Sequence, residues 1–213
     1  MNGLKKLIKF KKKKRFVYLI SPNKIKSNIF YNQLKKIFKL KKVAFFQLRL
    51  KKESKKRKLI IGKKIQKLCK RYNVKFIIND DPMLAKEINA DGCHLGQSDM
   101  NITLARKILK RHIIGITCHN SKKLIKKAIK NKANYIALGA FFPTKTKRSK
   151  YKANIKILNW SKNTTNIPIV AIGGINLDNY KKLLLNKANF LAISGYIWNN
   201  KKYKPVEAIS NLK

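Results

Sequence analysis

Four aspartates, Asp80, Asp81, Asp91 and Asp99, fall within one stretch of 20 positions in a chain with only eight acidic residues. In a chain so poor in acid, clustered carboxylates point to a hard cation with oxygen ligands, and Mg²⁺ is the ion they suit. Asp80 and Asp99 are read as its ligands. Asp91 is read as a brace for its turn. Asp81 stands before Pro82, where a carboxylate can also open a helix as its cap.

Gln47, Arg49 and Lys51 alternate, so on an extended strand they share one face. Two cations facing a packed interior are costly unless an anion pairs with them. If the strand has already ended, both are solvated, and the residues alone leave that open. Gly173-Gly174 and Ser194-Gly195 follow apolar runs, where backbone N–H groups can approach a phosphate closely. Thr144, Thr146 and Lys147 put two hydroxyls and an ammonium on one segment, again suited to phosphate. With lysine this common, Lys147 alone carries no signal. Of the three histidines, His112 reads as a surface residue. His94 and His119 end apolar runs and could serve a site or merely the fold.

Something must hold these groups at one place, and one pattern recurs along the chain to do so. A short apolar run, a polar turn and a longer amphipathic stretch repeat eight times. The runs lie near Phe16–Ile20, Val43–Leu48, Phe76–Ile78, Gly92–Leu95, Ile113–Thr117, Tyr135–Leu138, Ile167–Ile172 and Phe190–Ser194. Their near-continuous apolar character suits parallel strands covered on both faces. Between them, Ser54, Asn101, Ser121 and Asn176 precede apolar residues at helical spacing and are expected to open helices. Eight such units without a Gly/Pro/Ser linker predict a single-domain α/β fold, a closed (βα)8 TIM barrel over 16–213. A doubly wound open sheet is the alternative, but no G-x-G-x-x-G or G-x-x-x-x-G-K-[ST] motif supports it. In such a barrel, reactive groups come from the carboxyl ends of the strands. Nearly every candidate above falls at such an end.

With 213 residues, 44% of them hydrophobic, the chain is long enough for one sizeable core. No apolar run approaches the roughly 18 residues of a membrane span. Its 53 Lys and Arg against 8 Asp and Glu give a net charge of +45. That excess suggests a polyanion partner or a lysine-rich composition. The lysines are strewn over every expected helix instead of forming one stripe, which favours composition and no specific nucleic acid. Cys69, Cys93 and Cys118 are odd in number and lack C-x-x-C spacing, so they read as reduced thiols of a cytoplasmic protein. Residues 1–15 form a basic N-terminal extension without a signal-peptide core. The oligomeric state, a homo-oligomer included, stays open.

Taken together, these segments resemble the thiamine phosphate synthase family from about Val43 to Trp198. The most specific pieces are Asn79-Asp80, Ala90 to Asp99, Phe142 to Lys147 and Ala171 to Ile175. The resemblance implies a transferase of thiamine biosynthesis. A hydroxymethylpyrimidine diphosphate loses diphosphate, and the nitrogen of a thiazole phosphate attacks the methylene. It implies Mg²⁺ on Asp80 and Asp99, and diphosphate on Arg49, Lys51, Asn79 and Lys147. Gln47, His94 and Thr117 would lie about the pyrimidine. Thr144, Thr146, Gly174, Ser194 and Gly195 would take the thiazole phosphate. Arg49, Lys51, Lys147 and Thr117 are the catalytic residues so implied.

The chain departs from the family pattern at Leu50, Asp81, Thr117, Ala140, Gly195 and Asn189-Phe190. Thr117 keeps a hydroxyl, whereas Asp81 adds a negative charge beside the expected diphosphate site. Two rival readings remain. A thiazole tautomerase on the same fold would need a phosphate site and a proton shuttle, for which His119 is the candidate, but no metal. A polyanion-binding barrel without chemistry would need one contiguous basic face.

Overall fold

The computed structural model describes residues 15–25, 27–144 and 151–213. The expected basic extension therefore lies, apart from Arg15, outside the described residues. Eight strands follow in chain order: β1 Val17–Ile20, β2 Val43–Leu48, β3 Lys75–Asn79, β4 Gly92–Leu95, β5 Ile113–His119, β6 Tyr135–Gly139, β7 Ile169–Ile172 and β8 Phe190–Ile193. Each pairs in parallel with the next, and β8 returns to β1, so the sheet closes as a barrel. The helices are α1 Asn28–Lys39, α2 Lys55–Arg71, α3 Pro82–Ile88, α4 Ile102–Leu109 and α5 Lys122–Lys130, then α6 Lys156–Thr164, α7 Tyr180–Leu185, α8 Gly195–Trp198 and α9 Pro205–Ser210. Among the described residues no helix is long and apolar enough to cross a membrane.

Two apolar shells explain why the strands read as unbroken hydrophobic runs. Successive side chains point to opposite faces of a strand. On β1, Val17 and Leu19 join the shell shared with the helices, while Tyr18 and Ile20 join the barrel interior. The inner shell continues through Phe45, Ile77, Tyr135, Val170 and Phe190. Because both faces are dry, polar residues appear only where a strand ends. Each fully buried Leu, Ile or Phe is worth about 1.5–3 kcal/mol, so the strand positions are strongly determined.

The helix starts follow from local chemistry. The hydroxyls of Ser54 and Ser121 and the side-chain carbonyl of Asn101 accept the N–H of Arg57 (3.2 Å), Leu124 (3.3 Å) and Leu104 (2.9 Å). Such caps contribute about 0.5–2 kcal/mol each. Asp81 caps α3 in the same way, accepting from Leu84 N–H at 2.9 Å with Pro82 in the first turn. Asn176 does not cap α7. Its carbonyl folds a turn over Asp178 and Asn179, and the helix begins at Tyr180.

Asp91 belongs to the opposite rim from Asp80 and Asp99. It precedes β4, and its carboxylate accepts from Phe76 N–H at 2.9 Å and pairs with Lys75 at 2.7 Å. It braces the turn as expected, but from the amino ends of the strands, so it is not part of an acidic cluster at the reactive rim. Asn134 and Asn189 repeat the device before β6 and β8, accepting from Ile114 N–H (2.8 Å) and Ile169 N–H (2.9 Å). The departure at Asn189 therefore keeps the bond a carboxylate would make, and Phe190 fills the barrel floor edge-on to Phe45.

Candidate active site

The last inward residues of β2 to β5 are Gln47, Asn79, His94 and Thr117, and they converge at the carboxyl rim. Gln47, buried in the barrel, donates its side-chain N–H to the Asn79 amide oxygen at 3.1 Å. β2 ends at Leu48, so Arg49 and Lys51 lie past the strand and not on its face. Leu50 between them turns into the core, 3% exposed, where a polar residue would be costly. Lys51 is not merely solvated, and Arg49 stands at the cavity. Arg49 lines the rim cavity, and its backbone N–H is held by the Ser21 hydroxyl at 2.9 Å. The ammonium of Lys51 lies 3.1 Å from the Asp80 carboxylate.

Asp80 adopts a left-handed backbone (φ 66°), and its N–H donates to the His94 carbonyl at 2.8 Å. That bond ties the end of β3 to β4. Asp99 accepts from Gly96 N–H at 2.7 Å. Burial raises the Asp99 carboxyl above the usual carboxylate range, and the neighbouring Asp80 carboxyl adds to the rise against the pull of Gly96 N–H and Lys51. A carboxylate pair that offers only oxygen ligands fits a hard divalent cation. Among the described residues no third His, Cys, Asp or Glu joins them. Mg²⁺ suits such a site, because it keeps several waters and takes substrate phosphate beside one or two carboxylates. Asp81, the worrying departure, spends its carboxylate on the α3 cap.

His94 bridges two elements. Its Nδ1 lies 2.9 Å from the Tyr135 hydroxyl and its Nε2 2.8 Å from the Thr117 hydroxyl. Tyr135 in turn meets the Tyr18 hydroxyl at 2.8 Å. Gly115 makes this possible. A Cβ there would stand 1.9 Å from Tyr135 Cζ, so the ring fits across β5 only over glycine.

A cavity of about 440 Å³ opens on the other half of the rim, lined by Arg49, Thr117, His119, Thr144, Gly173, Gly174, Ser194 and Gly195. Gly174 has φ +62°, and a Cβ on it would lie 2.3 Å from the Pro143 carbonyl oxygen. Gly173 has φ +104° and abuts Ala140 equally closely. The pair is thus imposed by backbone crowding. Ser194 closes β8 and opens α8, donating its hydroxyl to the Ser21 carbonyl at 3.2 Å. His119, at a break in the β5–β6 register, stacks on Tyr151 at 4.0 Å. Thr146 and Lys147 lie outside the described residues.

Several cavity and network residues escaped the sequence reading: Ser21, Tyr18, Tyr135, Gln97 and Tyr196. Gln97 donates to the Thr117 carbonyl, fixing the end of β5. Ser21 could have been found as the first polar residue after β1. Tyr18 and Tyr135 were hidden because tyrosine in an apolar run reads as core. A glycine in the middle of β5 was their only trace.

Lys51 with paired carboxylates on one half of the rim, and Arg49 with glycine-built backbone on the other, suit reactants that are anionic at both ends. The class this defines is a (βα)8-barrel enzyme of phosphorylated small molecules. The sequence pattern of the family described as thiamine monophosphate synthase matches residues 17–197, and the chain belongs to that family. It is 66% identical over 200 residues to a thiamine-phosphate synthase of Pelagibacter ubique, covering 94% of this chain and 97% of that one. A thiamine-phosphate synthase of Nitrosomonas eutropha is 43% identical over 153 residues, 71% of this chain and 72% of the relative. Among solved structures, thiamine phosphate pyrophosphorylase from Pyrococcus furiosus superposes with a TM-score of 0.82 at 27% identity, covering 93% and 94% of the two chains.

Proposed function

We propose that this chain is a thiamine-phosphate synthase, a cytoplasmic transferase joining a hydroxymethylpyrimidine diphosphate to a thiazole phosphate with release of diphosphate. The observation that carries the reading is the set of Lys51, Asp80 and Asp99 at one half of the rim, beside a glycine-lined cavity on the other. The 66% identity to the Pelagibacter relative supports the same activity. Residues 16–213 act as one catalytic domain, with 1–15 as a basic extension.

The roles follow from charge and position. Asp80 and Asp99 hold Mg²⁺, which when bound neutralises charge on the diphosphate oxygens. Arg49, Lys51, Asn79 and Lys147 bind the diphosphate, and their cations gain in value as it departs. Gln47, His94 and Thr117 surround the pyrimidine. Thr144, Thr146, Gly174 and the Ser194-Gly195 backbone hold the thiazole phosphate, aligning its nitrogen with the methylene. Much of the acceleration then comes from holding two anionic reactants in line.

A tautomerase would use the thiazole half and His119 but would have no task for Lys51, Asp80 and Asp99. Scattered lysine gives a polyanion-binding role no defined face, and no specific nucleic acid is expected. The test is formation of thiamine phosphate from the two substrates with Mg²⁺. If the protein instead only tautomerises the thiazole in a His119-dependent way, the synthase reading fails.

A further inference from the structure

We propose that Tyr135 is a positioning residue: its hydroxyl locks His94 in the Nε2–H tautomer, which fixes Thr117 as a hydrogen-bond donor into the cavity. The inference deepens the synthase reading, on which only its consequence for turnover rests.

The argument is a count of protons along one chain of contacts. Tyr18, Tyr135, His94 and Thr117 are linked by hydroxyl–hydroxyl and hydroxyl–imidazole distances of 2.8, 2.9 and 2.8 Å. Both phenols are buried, and burial pushes both up, so each keeps its proton. Two phenol protons must therefore find acceptors among the Tyr18 oxygen, the Tyr135 oxygen and His94 Nδ1.

Only one direction places both. Tyr18 donates to Tyr135, and Tyr135 donates to a bare Nδ1. The ring proton then sits on Nε2 and is donated to the Thr117 oxygen. In the reverse direction Nδ1–H donates to Tyr135 and Tyr135 donates to Tyr18. The Tyr18 proton is then left among Phe45, Ile77 and other apolar groups of the barrel interior without an acceptor, an unfavourable burial. A doubly protonated ring meets the same obstacle.

The consequence falls on Thr117. Its oxygen receives the Nε2 proton, so its own hydroxyl proton is directed elsewhere. Thr117 lines the cavity, and its carbonyl is already engaged by Gln97. A β-branched side chain is stiff about χ1, so the hydroxyl oxygen does not wander. The result is a donor aimed at an acceptor atom of the bound substrate. Were the tautomer reversed, Thr117 would donate to Nε2 and offer the substrate only lone pairs.

The experiment compares two variants that each delete one buried hydroxyl, with ¹⁵N NMR of the His94 ring in ligand-free protein and steady-state kinetics. Wild type is expected to show a protonated Nε2 and a bare Nδ1. Tyr18→Phe should keep that tautomer, because the Tyr135 proton still has only Nδ1 to go to. Tyr135→Phe should release it to a mixture and lower kcat by roughly 10- to 100-fold, the usual cost of losing a group that orients another. An Nδ1–H ring in wild type, or a tautomer unmoved by Tyr135→Phe, overturns the proposal. Equal kinetic losses in both variants would do the same, since they would mark a merely structural role. The ligand-free spectrum is independent of which reaction the enzyme performs, so failure of the synthase reading is read separately from the assay.

Discussion

The hydroxyl of Ser21, at the end of β1, accepts the backbone N–H of Arg49 at 2.9 Å across 28 residues of sequence. Ser21 is 2% exposed, and its own proton goes to the Pro22 carbonyl at 3.0 Å. The bond pins the segment after β2, which is no longer held by the strand ladder, at the angle that sends Arg49 to the cavity.

Ser21→Ala should therefore strand that N–H and cost about 1–3 kcal/mol of stability. At this chain length each kcal/mol lowers Tm by roughly 2–4 °C. KM for the pyrimidine diphosphate should rise as Arg49 loosens. Calorimetry and kinetics check it, and unchanged Tm together with unchanged KM would remove the coupling.

The Asp80–Asp99 pair sets a pH dependence in metal-free protein. Asp99 titrates above its ordinary 3.8, so folding favours its protonated form. Its contribution is present below the unfolded value and is lost as pH rises through the folded value. In EDTA, wild type should thus lose stability relative to Asp99→Asn on going upward from about pH 4. Added Mg²⁺ should reverse the loss in wild type and not in the variant. Thermal melts across pH, with and without Mg²⁺, decide this. Stability that ignores Mg²⁺ at neutral pH would end the metal assignment.

Gly174→Ala should harm both fold and binding. A left-handed backbone costs a non-glycine residue about 1–2 kcal/mol before any clash, and here the new Cβ would also press on the Pro143 carbonyl. A lower Tm and weaker thiazole phosphate binding are expected, with pyrimidine diphosphate affinity less affected. Titration calorimetry with each substrate separates the two halves of the rim.

Lys147 and His119 separate the two chemistries. Lys147→Ala should lower synthase turnover by roughly 10²–10³-fold, the cost of one lost electrostatic donor. It should leave any thiazole tautomerisation nearly unchanged, and His119→Ala should do the reverse. Parallel assays of both reactions on both variants give the answer. Loss of thiamine phosphate formation in His119→Ala alone would contradict it.

Local pattern in this chain carried the order and type of its elements. The eight apolar runs coincide with β1 to β8, and Ser54, Asn101 and Ser121 cap helices where they stand. These features depend on neighbours a few residues away, so they are written in the sequence itself. Asn176 shows the limit, since its side chain closed a turn and left the helix to begin later. The position of Asp91 was also legible in principle, because a residue before a parallel strand lies at the rim opposite one after it.

What the tertiary structure alone decided is which side chains meet. Tyr18 and Tyr135 are 117 residues apart, yet closing the barrel brings their hydroxyls to 2.8 Å and sets that of Tyr135 on His94. Arg49 and Lys51 left the strand face that their alternation implied, because β2 ends at Leu48 and Leu50 claims a place in the core. The crowding at Gly174 has no trace in its neighbours along the chain, because it comes from the Pro143 carbonyl 31 residues away. Periodicity encodes the face a residue presents, but barrel closure and register fix what it faces, and these arise only when all eight strands are in place.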